Sequence, residues 1–324
     1  MSFIAWAPEG SRAGSISRAL GGEWRTFHDP RIHHKALVPL RYLTNAVRTL
    51  SYLLRRRPRA VIIQSPPVPA AALVVAWAKI ARVPVVVDTH PASFALPGDL
   101  AFHSVMRPLL SVLVRRVSAC IVTTPELAEY VTRWNGSPVI VHEAPMVWSD
   151  TIQPRESSGA RRLLFVCTFA PDEPFMEALE AARELPEVTF RITGDLRRRP
   201  LEAERAAPPN VEWVGYLGPD EYLSALVDAD VVMTLTRRPE SVQRSAHEAV
   251  DALRPLVLTN WPHVGELFPH AVLVENDGSS IRRGIEEAFG RWPELSSLAP
   301  DARGVQHARW GRQLGELQAA LCLE

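Results

Sequence analysis

The sequence predicts an α/β protein made of two parallel sheets, one in each half of the chain. Three observations predict it. Short apolar runs alternate with longer helix-like stretches throughout; 324 residues exceed what one hydrophobic core usually serves; and a polar segment, "MVWSDTIQPRESSGARR" (146–162), interrupts the alternation near its middle. The expected organisation is a first domain over 1–150, a second over 151–305 and a terminal helix over 306–324.

In the first half, "SFIAW" (2–6), "AVIIQ" (60–64), "VPVVVD" (83–88), "ACIVT" (119–123) and "PVIVH" (138–142) are short apolar runs, the pattern of strands buried on both faces. Helical periods fill the intervals at 38–55, 68–81, 102–117 and 125–134. The second half repeats the style, with strands expected at 162–167, 188–193, 211–215, 230–235, 255–259 and 271–275. Its helices fall near 173–185, 219–228, 242–252, 279–289 and 302–321. Ligands of such sheets lie at the carboxyl ends of the strands, and the cleft between two such domains is the expected place for chemistry.

Composition narrows the function. With 47% hydrophobic and 22% charged residues the chain is globular, and its three separated cysteines (Cys120, Cys167, Cys322) form neither a disulfide framework nor a zinc pattern. A reducing, cytoplasmic setting fits. "MSFIAWAPEG" lacks the pattern of a signal peptide, and the longest apolar run, "VPAAALVVAWA" (68–78), is too short to span a bilayer. Net charge is zero but uneven: residues 1–150 carry 17 basic and 9 acidic side chains, a net +8, and the remainder carries −8. No aromatic-basic interleaving or binding module points to nucleic acid. Only Lys35 and Lys79 are lysines; residues 151–324 have none.

Residues 37–59 place Leu40, Leu43, Val47, Leu50 and Leu54 at helical spacing, with Arg41, Arg48 and Arg55 in a second stripe seven apart. Arg107, Arg115 and Arg116 stand among leucines in 103–119. Two readings stay open: a crossover helix whose apolar face packs on the sheet, or peripheral contact with an anionic membrane.

"RRPESVQRSAHEAVDALRPLVLTN" (237–260) sets Glu240 and Glu248 eight positions apart after the apolar segment "ADVVMTLT". With a helix starting at Ser241 or Val242, the two stand about 12 Å apart along its axis. That exceeds the roughly 5–9.5 Å of a catalytic carboxylate pair and suits the two ends of one long ligand. A helix N-terminus also offers free N–H groups to phosphate. A sugar nucleotide has this layout. A solvated helix face is the alternative.

At these residues the chain resembles the GT-B glycosyltransferases, two Rossmann-like domains facing across a cleft, in the nucleotide-sugar-dependent group with an E-x7-E motif. The resemblance extends over "NVEWVGYLGPDEYLSALVDADVVMTL" (210–235), "VLVENDGSSIRRGIEEAF" (272–289) and "HARWGRQLGELQAAL" (307–321), the last similar to a terminal helix that often crosses back to the first domain. It implies that Glu240 contacts the donor sugar and Glu248 the donor ribose, and adds Thr168, Phe169 and Gly194 to the donor side. Many members carry an arginine and a lysine after the first strand of the second domain. Those cations would fall near Thr168 and Glu173, where none exists, so Arg237, Arg238 and Arg244 are the candidates for the diphosphate. "TFAPDEPF" (168–175), "VIIQSPPVPA" (61–70) and "VVVDTHPASF" (85–94) are also similar to stretches of the chitobiosyldiphosphodolichol β-mannosyltransferases, which implies a lipid-linked acceptor. That group inverts the anomeric centre whereas E-x7-E enzymes usually retain it; the outcome stays open.

In the first domain, His90 follows Asp88 at the end of a buried strand, where imidazole can polarise or deprotonate a hydroxyl. His90 and Asp88 are the catalytic candidates, with Glu9 an alternative base. "APEGSRAGSISRALG" (7–21) supplies Gly10, Ser11, Arg12 and Gly14 to a small-residue loop for phosphate or acceptor, and a generic strand-to-helix turn is its alternative. No metal triad is found, so the expected enzyme is a metal-independent glycosyltransferase using a GDP- or UDP-sugar and no other cofactor. Its acceptor would be a lipid-linked, polysaccharide-precursor or small-molecule hydroxyl. A non-catalytic sugar-nucleotide-binding partner and a sugar-nucleotide epimerase are the alternatives.

Overall fold

The computed structural model describes residues 1–7, 11–28, 37–94, 101–154, 156 and 159–323. The chain divides into two compact units, Met1–Ala144 with Arg309–Glu324, and Pro145–Ala308.

Unit 1 runs β1 (Ser2–Ala5), α1 (Ser11–Ala19), β2 (Glu23–Thr26), α2 (Val38–Arg56), β3 (Val61–Ser65), α3 (Val68–Ala81), β4 (Val85–Thr89), α4 (Ala101–Val114), β5 (Ala119–Val122), α5 (Pro125–Arg133) and β6 (Pro138–Ile140). Its sheet is wholly parallel, in the order β2-β1-β3-β4-β5-β6. Strand direction alternates side chains between faces. Ile4, Ile63, Val85 and Val87 meet α2 to α5 on one side, while Phe3, Ile62, Val86 and Ile121 meet Ile16 of α1 on the other. Trp310, Leu317 and Leu321 complete that second face, so residues 309–324 belong to the core of this unit.

Unit 2 runs β7 (Arg162–Phe165), α6 (Phe175–Arg183), β8 (Thr189–Thr193), α7 (Leu201–Ala206), β9 (Val211–Gly215), α8 (Pro219–Asp228), β10 (Val231–Thr234), α9 (Arg244–Asp251), β11 (Leu256–Thr259), α10 (Pro262–Leu267), β12 (Val272–Val274) and α11 (Gly278–Gly290). α12 (Trp292–Ala320) follows. The sheet, again parallel, is ordered β12-β11-β10-β7-β8-β9. Leu163, Phe165, Phe190 and Met233 pack under α6 and α11; Leu164, Val232 and Leu258 pack under α8, α9 and α10. Residues 145–152 are tied down within the unit: buried Asp251 accepts from Met146 N at 2.7 Å, and Arg303 donates to Ser149 O at 2.6 Å.

Several local expectations change. β2 ("EWRT") is a half-exposed edge strand whose alternating, polar residues give no apolar run. α7 and α10 are six residues each, too short to establish a period. α12 begins ten residues before 302 and carries Pro300 in its interior. The largest change is in α2. Its buried side chains are Asn45, Thr49 and Leu53, and the leucine stripe faces outward. The reading in which that stripe packs on the sheet is corrected.

Candidate functional site

Each sheet has one point where successive strands leave in opposite directions, between β1 and β3 in unit 1 and between β7 and β10 in unit 2. The loops at the carboxyl ends part there, opening a crevice. In unit 2, Thr168 follows β7 and Arg237 and Arg238 follow β10; in unit 1, Asp88 and His90 lie at the end of β4, one strand beyond the switch point.

In unit 2 the loops after β7 and β10 are joined. Asp172 Oδ2 accepts from Thr236 Oγ1 at 3.0 Å and lies 3.9 Å from Arg238 Nε, while Asp172 O accepts from Arg237 N at 2.7 Å. Arg237 also donates to Glu177 Oε1 at 2.6 Å. Both arginines therefore stand at the switch point, held by carboxylates at the edge of the β7 loop.

Glu173, at a position where the resemblance implies a cation, is buried and organises the loop. Its Oε2 accepts the amide N–H of Thr168 at 2.9 Å and of Ala170 at 2.8 Å, and Thr168 Oγ1 lies 3.1 Å from Oε1. Glu173 thus occupies the amide donors of Thr168 and Ala170. Burial first, then the neighbouring Glu173 charge, pushes the Cys167 thiol well above its ordinary pKa. Thr168 stays exposed at the strand end, but Phe169 does not. Its ring packs in the core against Phe175 and Trp213, with the backbone at φ +58°. Gly194 (φ +127°) lies so close that a Cβ would come within 2.7 Å of the Phe169 ring and 2.8 Å of Cys167 O. Phe169 and Gly194 thus shape the loop through packing.

α9 starts at Arg244, not at 241 or 242, so Glu240 lies half-buried in the preceding loop and the two glutamates do not share one helix. The 12 Å axial spacing does not apply. Glu248 is buried near the helix middle, accepting from Arg244 Nε at 2.6 Å and from Tyr222 Oη at 2.7 Å. Burial first, then the Glu248 charge, drives the Tyr222 hydroxyl well above its usual pKa, so it stays a donor. Tyr222 sits on α8, 26 residues before Glu248, and no sequence spacing marked it.

In unit 1, Asp88 is the penultimate residue of β4 and is 1% exposed; His90 stands just beyond the strand, its Nε2 3.5 Å from Asp88 Oδ2 and 3.2 Å from Gln64 Nε2. His90 N donates to Ser65 O at 2.9 Å, which fixes the turn. Arg12 NH2 reaches Asp88 Oδ1 at 3.6 Å and donates to Val141 O at 2.8 Å, and NH1 lies 3.6 Å from Glu143. Burial pushes the Asp88 carboxyl up, but the Arg12 guanidinium and His90 together hold it below its ordinary value. Asp88, His90 and Arg12 form one cluster, and Gln64 is the member that sequence reasoning missed.

The expected phosphate loop is shorter than foreseen, because α1 already begins at Ser11. Arg12 and Gly14 are helical, and Gly14 admits the Trp24 ring, which a Cβ would meet at 3.2 Å. Gly10 and Glu9 lie outside the described residues. Among the described residues no group of three His, Cys, Asp or Glu side chains could hold a metal ion.

Two wholly parallel six-stranded sheets in one chain are the architecture of a GT-B protein. The Glycosyl transferase 4-like domain family matches residues 4–145, and the Glycosyl transferases group 1 family matches residues 160–289. The chain therefore belongs to the glycosyltransferases of this fold and is an enzyme of sugar transfer. It is similar in structure to sucrose-phosphate synthase from Thermosynechococcus elongatus (TM-score 0.76, 14% identity, 98% of each chain). It is also similar to Anabaena HepE in complex with UDP-glucose (TM-score 0.75, 14% identity, 99% of this chain and 100% of that one). An α,α-trehalose-phosphate synthase (UDP-forming) from Burkholderia vietnamiensis has a TM-score of 0.71 at 11% identity, over 99% of each chain. At these identities the likeness carries the fold. No curated protein matches the chain in sequence.

Proposed function

We propose that the enzyme moves a hexose from a nucleotide sugar to an acceptor hydroxyl without a metal ion, unit 2 binding the donor and unit 1 the acceptor. The observation that carries this reading is the switch point of unit 2, where Glu177 holds Arg237 and Asp172 lies by Arg238, in the loop after β10, while Thr168 is exposed in the loop after β7. A diphosphate there would meet guanidinium groups in place of the missing lysine. Arg244 would add a third cation by exchanging its hold on Glu248 for phosphate. Glu240 and Glu248 would take sugar and ribose hydroxyls as acceptors of hydrogen bonds, the roles that the E-x7-E resemblance assigns. Structures of HepE are described with UDP, UDP-glucose, and UDP and glucose, which favours a UDP-sugar over a GDP-sugar.

His90 is the group proposed to touch the reacting sugar or hydroxyl. Asp88, buried and ionised, holds the ring in place. Ser11 and Gly10 are proposed to receive phosphate. The stretches 61–70, 85–94 and 168–175 favour a lipid-linked acceptor, and the cysteine usage a cytoplasmic enzyme.

A second reading is favoured by one observation: Glu173 already holds the Thr168 and Ala170 amides where relatives carry cations. A protein that binds sugar nucleotide without transferring it would tolerate this. A thermal-shift screen with UDP, GDP, TDP, CDP and ADP tests the binding, since ligand at 100 times its Kd stabilises by about 2.7 kcal/mol. One nucleotide should raise Tm, and Glu248→Ala should weaken the effect. No shift with any of the five would overturn both readings. Binding without hydrolysis or transfer of the matching sugar nucleotide would leave the second.

A further inference from the structure

α2 packs Leu53, with Tyr42, Ala46 and Tyr52, on the core of unit 1 and leaves a second apolar stripe unpacked. It has no acidic residue, and its buried side chains include the polar Asn45 and Thr49, the latter accepting from Trp6 Nε1 at 2.9 Å. Its apolar stripe lies in solvent: Leu40 is 49% exposed, Leu43 63%, Val47 57% and Leu54 63%. Arg41, Arg48 and Arg55 each follow a stripe residue by one position, so they border the stripe along its length.

Beside the stripe, between α2 and the edge strand β2, lies a cavity of about 540 Å³. Arg25, Arg48, Arg55 and Arg56 line it, together with Phe27 and Tyr52. Arg48 lies over the Phe27 ring at 5.7 Å and Arg25 over Tyr52 at 5.9 Å, which orients their planar heads. Glu23 is the carboxylate nearby, 3.5 Å from Arg25 and 4.0 Å from Arg56, and it accepts from Tyr52 Oη at 3.2 Å. Among the described residues, four guanidiniums line this cavity with the Glu23 carboxylate beside them, a site suited to an anion, and it opens next to exposed leucines. α4 has a similar composition, with Val105, Leu109 and Val112 exposed and Arg107, Arg115 and Arg116 close in sequence.

We propose that α2 docks unit 1 on an anionic bilayer, its leucine stripe entering the acyl boundary and the arginine cavity receiving a lipid phosphate. Charge complementarity selects this occupant: residues 1–150 carry a net +8, and an apolar stripe bordered by arginine matches a negatively charged interface. No helix among the described residues is long and apolar enough to cross a membrane, so the contact is peripheral. The inference does not depend on the donor, and its test needs no nucleotide.

The test is co-sedimentation of the full chain with phosphatidylcholine vesicles and with mixed phosphatidylcholine/phosphatidylglycerol vesicles. Wild type should pellet with the mixed vesicles and largely dissociate at high salt. Each arginine near the surface contributes roughly a fivefold gain in partition. Arg48→Glu with Arg55→Glu should therefore lose at least about 25-fold. Leu43→Ser with Leu54→Ser should lose the binding that survives salt, and an unchanged Tm would show that both variants fold. Wild type staying in solution with the mixed vesicles would overturn the proposal, as would either double variant binding like wild type. Two other results would also overturn it: a Tm rise with inorganic phosphate in the absence of vesicle binding, or a dimer lost on Leu43→Ser/Leu54→Ser in a chain that ignores vesicles.

Discussion

Arg244 and Glu248 face each other across one turn of α9, with Arg244 Nε donating to Glu248 Oε1 at 2.6 Å. Tyr222 takes the other oxygen at 2.7 Å, so the carboxylate is oriented before any ligand arrives. A charge-assisted hydrogen bond of this kind is worth about 1.5–3 kcal/mol. Glu248→Ala should therefore weaken nucleotide binding by roughly 10–100-fold in calorimetry. It should also cost about 1–3 kcal/mol of stability in urea, because the buried Tyr222 hydroxyl loses its acceptor. Tyr222→Phe in the Glu248→Ala background should recover part of that stability and none of the affinity.

His90 acts, in the proposed reading, only on the reacting groups. His90→Ala should lower transfer by roughly 10²–10⁴-fold while the nucleotide-induced Tm shift in unit 2 stays as in wild type. Loss of nucleotide binding in this variant would remove His90 from its catalytic role.

Asp88 ties stability to pH. Its folded pKa is depressed below the ordinary 3.8, so its ionised form favours the folded chain at neutral pH, and that contribution fades as pH falls below 3.8 through the native value. Asp88→Asn cannot titrate. The Tm difference between wild type and Asp88→Asn should be constant above the ordinary carboxylate range and narrow below it. A difference that stays constant through the acid range would place no depressed carboxylate at this position.

Gly194→Ala should destabilise unit 2. The new Cβ would stand 2.7 Å from the Phe169 ring and 2.8 Å from a carbonyl, at a φ of +127° that side-chain-bearing residues rarely adopt. Overpacking alone costs about 1–3 kcal/mol, and a urea midpoint unchanged from wild type would show that the β7 loop is loose.

The sheets were legible because buried parallel strands are nearly continuous apolar runs; Val61–Ser65 and Val85–Thr89 lie within a residue or two of where those runs place them. β2 was not, because an edge strand buries little and "EWRT" carries no such run. At the site, strand-end residues such as Asp88 and His90 could be read from position alone. Partners from distant segments could not: Gln64 meets His90 from another strand, and Tyr222 meets Glu248 from another helix. Helix starts are also weakly encoded. Val242 and Gln243 have suitable helical spacing, yet Gln243 turns its side-chain amide onto Leu235 O at 2.9 Å, and α9 begins one residue later. α2 misled for the opposite reason, since its apolar period is real but does not say which way the stripe faces.

Trp310, Leu317 and Leu321 fill the same core face as Phe3, Ile62 and Val86. During synthesis Phe3, Ile62 and Val86 therefore emerge well before the side chains that close this hydrophobic interior. Unit 1 must wait, incompletely packed, while all of unit 2 is translated, which reverses the usual order in which the N-terminal domain folds first. Nascent chains stalled short of residue 310 should accordingly present an open apolar sheet face to chaperones, and release of the remaining residues should close it.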